Sequence, residues 1–339
     1  MQRRVLKTED EVAPKRRVRE PTLEFINTGC VLLDCVTGWG WPVGRMSNII
    51  GDKSTGKTLL AIEAAANFAR KWPEGHIYYR EAEAAFDETY AETLGLPPDR
   101  VDFGPDGLGS LWETVEDIYN DLGKVIKRGI ETGQPSLYII DSLDALSSRA
   151  ELAREIDEGS YGMEKQKQLG QLFRRQIQGI GKARIALLII SQVRDKIGVT
   201  FGDKHRRAGG RAMDFYASIV VYMSHMGQVH KTINKIKRTT GVEVKVKCTK
   251  NKIHWPFRDC QFSIRFGYGI DELLASLEWL EEAGAAKPIL EGAKIAAFVA
   301  EAEQLDDREY RRLVRDVRKA VRATWAGIDD KFAPTRRKY

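Results

Sequence analysis

Gly51-Asp52-Lys53-Ser54-Thr55-Gly56-Lys57-Thr58 follows the apolar run 46–50 and opens a stretch, 58–71, in which apolar residues recur every three or four positions. Strand, glycine-bounded turn and amphipathic helix, in that order, are the context in which G-x-x-x-x-G-K-[ST] signifies a phosphate-binding loop. The glycines let backbone N–H groups curl around phosphate oxygens, and the helix N-terminus adds its dipole. Lys57 would place its charge on the β- and γ-phosphates and Thr58 its hydroxyl on Mg2+, so ATP and Mg2+ are the expected cofactors.

Beyond this loop the same alternation continues. Short apolar runs at 76–80, 137–140 and 185–191 read as strands, with helical spacing over 111–130 and 165–182 between them. That is the pattern of a mostly parallel sheet covered by helices, an α/β core of the P-loop NTPase type. Further strand candidates at 219–223, 242–248 and 261–266, with few helices among them, predict antiparallel additions to the sheet. From about residue 271 the pattern becomes purely helical, over 272–283, 292–303 and 308–325. The chain thus divides into a basic arm (1–25), an ATPase core (26–270) and a small helical C-terminal domain with a basic tail (271–339).

Composition narrows the function classes. Of 339 residues 42% are hydrophobic and 30% charged, which suits a folded globular protein. The net charge of +6 is modest, but Arg3, Arg4, Lys15, Arg16 and Arg17 crowd one end and Arg336, Arg337 and Lys338 the other. Basic tails fit either a polyanionic partner or mere solubility. The four cysteines, Cys30, Cys35, Cys248 and Cys260, lack metal-ligand spacing, which disfavours zinc and a disulfide framework and predicts a cytoplasmic protein. No run reaches the ~20 apolar residues of a membrane span.

Two elements complete a nucleotide site. The run ending Ile139-Ile140-Asp141-Ser142 places a carboxylate at a strand end, where P-loop enzymes hold magnesium through water. Hydrolysis also needs a group to orient the attacking water, and Glu81 and Glu83 end the strand 76–80, where a carboxylate can face the γ-phosphate; on position alone they read equally as solvated surface glutamates.

Taken together, residues 23–270 resemble the RecA family of DNA strand-exchange recombinases. The resemblance rests on Thr28-Gly29-Cys30-Val31-Leu32-Leu33-Asp34, the phosphate loop, Glu81-Ala82-Glu83-Ala84-Ala85-Phe86-Asp87 with Tyr90-Ala91, and Ile140-Asp141-Ser142. It extends through Ser191-Gln192-Val193-Arg194-Asp195-Lys196-Ile197-Gly198-Val199-Thr200-Phe201-Gly202, then Gly209-Gly210, Phe215-Tyr216-Ala217-Ser218 and Lys250-Asn251-Lys252-Ile253. It implies that Glu83 positions the hydrolytic water, that Asp87 and Tyr90 bind the nucleotide near its adenine, and that Gln192 senses the γ-phosphate. It further implies that Lys250 and Lys252 reach the γ-phosphate of a neighbouring protomer; without the resemblance they would read as an exposed turn.

Two DNA-binding loops are implied, over 155–163 and 193–210. Composition favours the second independently: Arg194, Lys196, Lys204, His205, Arg206, Arg207 and Arg211 supply charge, and Gly198, Gly202, Gly209 and Gly210 close backbone approach; the resemblance adds Phe201 to its DNA contacts. In the first, Tyr161 would wedge between bases or stack on them, with Lys167 and Arg174 on the following helix. The implied partners are single-stranded DNA, homologous duplex DNA, further copies of the chain in a helical filament, and single-strand-binding and loader proteins. The short charged arm and the absence of an acidic tail depart from many bacterial members and suggest a phage-encoded one. A hexameric helicase on the same core, or a mediator that does not hydrolyse ATP, are the competing readings.

Overall fold

The computed structural model describes residues 23–153, 163–195, 205–206 and 210–336. After the short strand β1 (Phe25–Ile26) come α1 (Val31–Thr37), β2 (Trp41–Pro42), β3 (Met46–Gly51), α2 (Lys57–Lys71), β4 (His76–Glu81), α3 (Glu88–Thr93) and β5 (Val101–Asp102). Next are α4 (Val115–Thr132), β6 (Ser136–Asp141), α5 (Arg149–Leu152), α6 (Met163–Lys182), β7 (Ile185–Gln192), β8 (Arg194–Asp195), β9 (His205–Arg206) and α7 (Gly210–Tyr216). The chain closes with β10 (Ile219–Ile233), β11 (Ile236–Asn251), β12 (Asp259–Arg265), β13 (Gly269–Ile270), α8 (Glu272–Glu282), α9 (Lys287–Leu290), α10 (Ile295–Ala302) and α11 (Asp307–Phe332).

Nine strands form one sheet in the order β13-β12-β11-β10-β3-β7-β6-β4-β5. From β10 to β5 all neighbours are parallel, and β11, β12 and β13 continue antiparallel. The parallel strands are apolar at consecutive positions because both faces are covered. In β7, Ala186, Leu188 and Ile190 face a core shared with α1, α2 and α8, while Ile185, Leu187 and Ile189 face α4 and α6. The expected α/β sheet flanked by helices is therefore the fold.

The C-terminal helices dock on the first of these cores. Glu272 on α8 accepts from the backbone N–H of Val31 at 2.8 Å and from Arg318 Nε of α11 at 2.9 and 3.0 Å. Leu273, Leu277, Val317 and Val321 join the cluster that holds α1 and α2, and Trp279 stacks on Trp325 at 5.2 Å between centroids.

β10 and β11 run well past their expected ends, to Ile233 and from Ile236. Beyond Met223 only Met226, Val229 and Ile233 of β10 are apolar, irregularly spaced among polar residues on a strand that is half-buried to exposed, so periodicity carries no signal there.

Two buried charges suit direct tests. Arg80 in β4 is only 2% exposed; its Nε donates to Asp121 at 2.7 Å and its Nη1 to the Asp102 carbonyl at 2.6 Å, with the guanidinium 4.9 Å from the Trp112 ring centre. Tyr138 donates its OH to the same Asp121 oxygen at 2.7 Å. Arg80→Met should lower stability to urea by about 3–5 kcal/mol, because it strands the Asp121 carboxylate, whereas Asp102→Ala, at a half-exposed partner, should cost below about 1 kcal/mol.

Asp34 in α1 accepts from the N–H and Oγ1 of Thr28 at 2.8 and 2.9 Å, and burial pushes its carboxyl from 3.8 up to about 7 against the pull of Thr28 and Arg322. Between those values the folded state holds a proton that the unfolded chain releases, so stability declines as pH rises through the window. Thermal melts of Asp34→Asn against wild type should show the difference moving in the variant's favour from pH 4 to pH 7, at most by about 1.4 kcal/mol per pH unit.

Candidate functional site

The register of the parallel strands collects the site. Gly51 at the end of β3 lies opposite Gln192 at the end of β7, and Glu81 at the end of β4 opposite Asp141 at the end of β6. Four strand ends thus open onto one crevice at the carboxyl edge of the sheet, the edge at which open α/β sheets bind ligands.

The phosphate loop leaves β3 and enters α2 there. Gly56 has a φ of +84°, and a Cβ on it would lie 2.4 Å from Ile264 Cδ1, so both backbone and space demand glycine. Gly56 is also the N-cap of α2, and no side chain caps that end, which leaves the first-turn N–H groups aimed into the loop. Lys57 donates to the Asp52 carbonyl at 2.5 Å and Thr55 Oγ1 to the same oxygen at 3.0 Å, so the loop is curled around its own backbone. Burial lowers the Lys57 amine, while Asp141, Glu83, Asp52 and Asp144 pull it back up.

Carboxylates face that lysine. Asp141, 6% exposed, accepts from Thr58 Oγ1 at 2.8 Å and from Tyr79 OH at 2.7 Å. Burial pushes its carboxyl up to about 6; the two hydroxyl bonds lower it, and Glu83 and Glu81 add to the rise. A hydroxyl and a buried carboxylate side by side are a donor set that fits a hard divalent cation such as Mg2+, which favours oxygen ligands and retains much of its water.

Glu81 and Glu83 turn to different partners. Glu81 turns its Oε1 to the N–H groups of Ala85 and Phe86, the latter at 2.6 Å, and so braces the turn after β4. Glu83 instead faces the crevice, accepting from Ser142 Oγ and from Gln192 Nε2 at 2.7 Å. Gln192 is held in turn by its N–H, which donates to Asp144 Oδ2 at 2.6 Å. Ser142, Asp144 and Tyr79 were not singled out from sequence. Ser142 and Asp144 follow closely on Asp141, which is a signal, whereas Tyr79 reads as an ordinary core aromatic.

Asp87 caps α3, its Oδ1 accepting from the N–H of Tyr90 at 2.9 Å, and the Tyr90 ring is half-buried against the core, its phenol raised by burial and by Glu63. Lys53 and Ser54 are exposed in the loop.

Lys250 and Lys252 lie elsewhere. Lys250 pairs with Val220 of β10, itself opposite Asn48 of β3, three residues before Gly51; the N–H of Lys252 donates to the Ser218 carbonyl ahead of β10. Both therefore stand toward the opposite edge of the sheet from the phosphate loop. Their amines converge on the end of α7, Lys252 donating to the Phe215 carbonyl at 2.7 Å and Lys250 to that oxygen at 3.3 Å and to the Asp214 carbonyl. Phe215 beside them is 71% exposed.

Of the expected DNA contacts, Lys167 and Arg174 are exposed on α6, Arg194 lies in β8, and Gly210 and Arg211 open α7. Tyr161, Lys196, Phe201 and Gly209, with the arm over 1–22, lie outside the described residues. Among the described residues no helix is long and apolar enough to cross a membrane.

Comparison with known proteins accords with this geometry. The profile of the RecA N-terminal domain matches residues 12–271. Protein RecA of Nostoc punctiforme is 34% identical over 263 residues, 77% of this chain and 68% of that protein. Protein RecA of a Synechococcus species and that of Parasynechococcus marenigrum are each 33% identical over 262 residues, 77% of this chain and 66% and 65% of theirs. The chain spans about two thirds of the length of these curated relatives. A match of that extent, over the residues that build the crevice, places the chain in the RecA family.

Proposed function

We propose that the chain is an ATP-dependent recombinase that assembles into helical filaments on single-stranded DNA, hydrolyses ATP between protomers and carries out homologous pairing and strand exchange. The observation that carries this reading is the bond between Gln192 and Glu83. It ties a group suited to orienting water to the residue from which the loop over 193–210 departs.

In this scheme the loop from Gly51 to Thr58 would cradle the triphosphate, and Thr58 and Asp141 would hold Mg2+. ATP and Mg2+ supply the transferable phosphoryl group and the charge that stabilises its transfer. Glu83 orients the attacking water, with Ser142 and Gln192 fixing its carboxylate. Asp87 and Tyr90 flank the base. When Gln192 engages the γ-phosphate it gives up Glu83, and the loop beginning at Val193 shifts with it, so nucleotide state and DNA affinity become two coupled sites. Arg194, Lys196, Phe201, Gly209, Gly210 and Arg211 of that loop, with Tyr161, Lys167 and Arg174 of the other, would hold the strand largely through phosphates and stacking, without sequence preference. Because Lys250 and Lys252 stand away from their own phosphate loop, they act on the nucleotide of an adjacent protomer.

Negative-stain electron microscopy on single-stranded DNA tests the assembly. Extended helical filaments with a non-hydrolysable ATP analogue, and none with ADP, are expected; closed rings would instead identify a helicase, and bare DNA a mediator.

Lys250→Ala should reduce DNA-stimulated turnover on the order of 10³-fold, as loss of an arginine finger does, while leaving nucleotide binding by the free protomer intact. Mixing it with Lys57→Ala, itself inactive, should restore part of the turnover, since hybrid interfaces pair an intact phosphate loop with an intact lysine. Absence of any recovery in mixed filaments means that Lys250 does not act across the interface.

A further inference from the structure

Glu63 on α2 is an acid without a partner. Its side chain is half-buried, and no group among the described residues donates to its carboxylate; the one bond it takes part in, from Asn67 Nδ2 at 2.8 Å, ends on its backbone carbonyl. Burial raises the carboxyl from 4.5 to about 7, against the pull of Arg70 on α2 and Arg318 on α11 and with a further push from Glu272 on α8. Both cations are engaged elsewhere. Arg318 forks onto Glu272, with Nε at 2.9 and 3.0 Å, and Arg70 donates to Asn67 Oδ1 at 3.1 Å. An acid kept for structure alone would be bonded to one of them, since a carboxylate withdrawn from water and left without a donor costs stability.

The carboxylate lies where three parts of the nucleotide site converge. α2, which carries it, opens at Lys57. A Cβ on Gly29 would lie 2.8 Å from Glu63 Oε2 and one on Gly269 3.3 Å from Oε1, so the carboxyl group rests against bare backbone on both sides. The Gly269 Cβ would also lie 2.7 Å from Leu94 Cδ2, and Leu94 closes α3, its N–H donating to the Tyr90 carbonyl at 3.1 Å. Glu63 in turn raises the phenol of Tyr90. The β12–β13 turn is therefore wedged between the helix of the phosphate loop and the helix of Tyr90. Glu63 stands between the residues assigned to the phosphates and the residue assigned to the base.

We propose that Glu63 accepts a hydrogen bond from the nucleoside of the bound nucleotide, either from the exocyclic amine of its base or from a ribose hydroxyl, and so selects nucleotides that carry that donor. The inference rests on the reading of Gly51 to Thr58 and Tyr90 as the nucleotide site and deepens it. An ionised carboxylate can only accept, so the ligand supplies what the chain does not, and a bond to a charged acceptor is among the stronger kinds. A donor also favours the ionised form over the protonated one. The free protein sheds the Glu63 proton between about pH 6 and pH 8, so affinity for the cognate nucleotide rises over that window relative to an analogue without the donor.

The test is calorimetry on the full chain without DNA, using diphosphates to avoid turnover: ADP, inosine diphosphate, whose 6-amine is replaced by oxygen, and 2′-deoxy- and 3′-deoxy-ADP. At pH 8 wild type should bind ADP about 10- to 100-fold more tightly than one of the three analogues. Inosine diphosphate as the weak ligand identifies the base amine, and either deoxy compound identifies the sugar. Glu63→Leu should weaken ADP to the level of that analogue while leaving the analogue within about twofold. The preference for ADP should shrink toward pH 6 in wild type and stay flat in the variant. Should Glu63→Leu fail to give a cooperative thermal melt, Glu63→Gln decides, since it keeps one acceptor and should retain part of the preference with no pH dependence. The inference is overturned if wild type binds all four ligands alike at pH 8, or if the substitutions weaken all four equally, which marks a structural role. ADP bound no more tightly by wild type than by Lys57→Ala would instead sink the reading of the nucleotide site, and this inference with it.

Discussion

Parallel pairing of β3, β7, β6 and β4 in a single register is the constraint on which the rest depends. A strand that slips by one residue turns all its side chains to the other face, and here it would also carry Gln192 or Asp141 out of the crevice. The register is fixed from within the sheet. Asn48, fully buried in β3, donates from Nδ2 to the Ile189 carbonyl at 2.9 Å and to Ser191 Oγ at 3.0 Å, both in β7. An amide in the core is tolerable only when so satisfied, and a slipped strand would orphan it. The bond that aligns β3 with β7 therefore also aligns Gly51 with Gln192, the phosphate loop with the residue ahead of the loop proposed to bind DNA.

That alignment gives the proposed coupling a short path. Glu83 touches Ser142 beyond β6 and Gln192 at the end of β7, and Gln192 is tethered by its backbone to Asp144. Asp144 in turn accepts on its carbonyl the amine of Lys165, at 2.9 Å, near the start of α6, the helix that follows the first loop. Both loops implied in DNA binding thus descend from groups within a few hydrogen bonds of the crevice. A ligand shifts such a system only through its different affinity for two arrangements, and a carboxamide that can bond either Glu83 or a phosphate provides two.

How much of this was legible in sequence depended on whether burial was one-sided and local. The parallel strands, α2 and the phosphate loop were readable because continuous apolar runs and a glycine-bounded turn leave few alternatives. The outer ribbon was not, since exposure on both faces erases the two-residue period; its pairing, from Val229↔Gly241 to Ile233↔Ile236, shows that it is strand. Arg80 looked like the polar end of a strand, and its burial among Trp112, Tyr138 and Asp121 depends on residues up to 58 positions away. Glu81 and Glu83 both lie at one strand end, and what separates them is the turn at Ala84, φ 54°, whose following N–H groups claim the first.

The position of Lys250 and Lys252 has a consequence for assembly. A protomer presents its phosphate loop at the carboxyl edge of the sheet and these lysines toward the amino edge, so in the proposed scheme the two halves of each site belong to different surfaces. Such a contact is head-to-tail, and a two-fold dimer cannot satisfy it; repetition closes into a ring or runs on as a helix, according to the rotation per step. In that scheme each added protomer would complete one nucleotide site and expose another, which would make ATP a structural element of every interface. Hydrolysis would then weaken the contact beside it, so the proposed chemistry of turnover would also set how long the assembly stays on DNA.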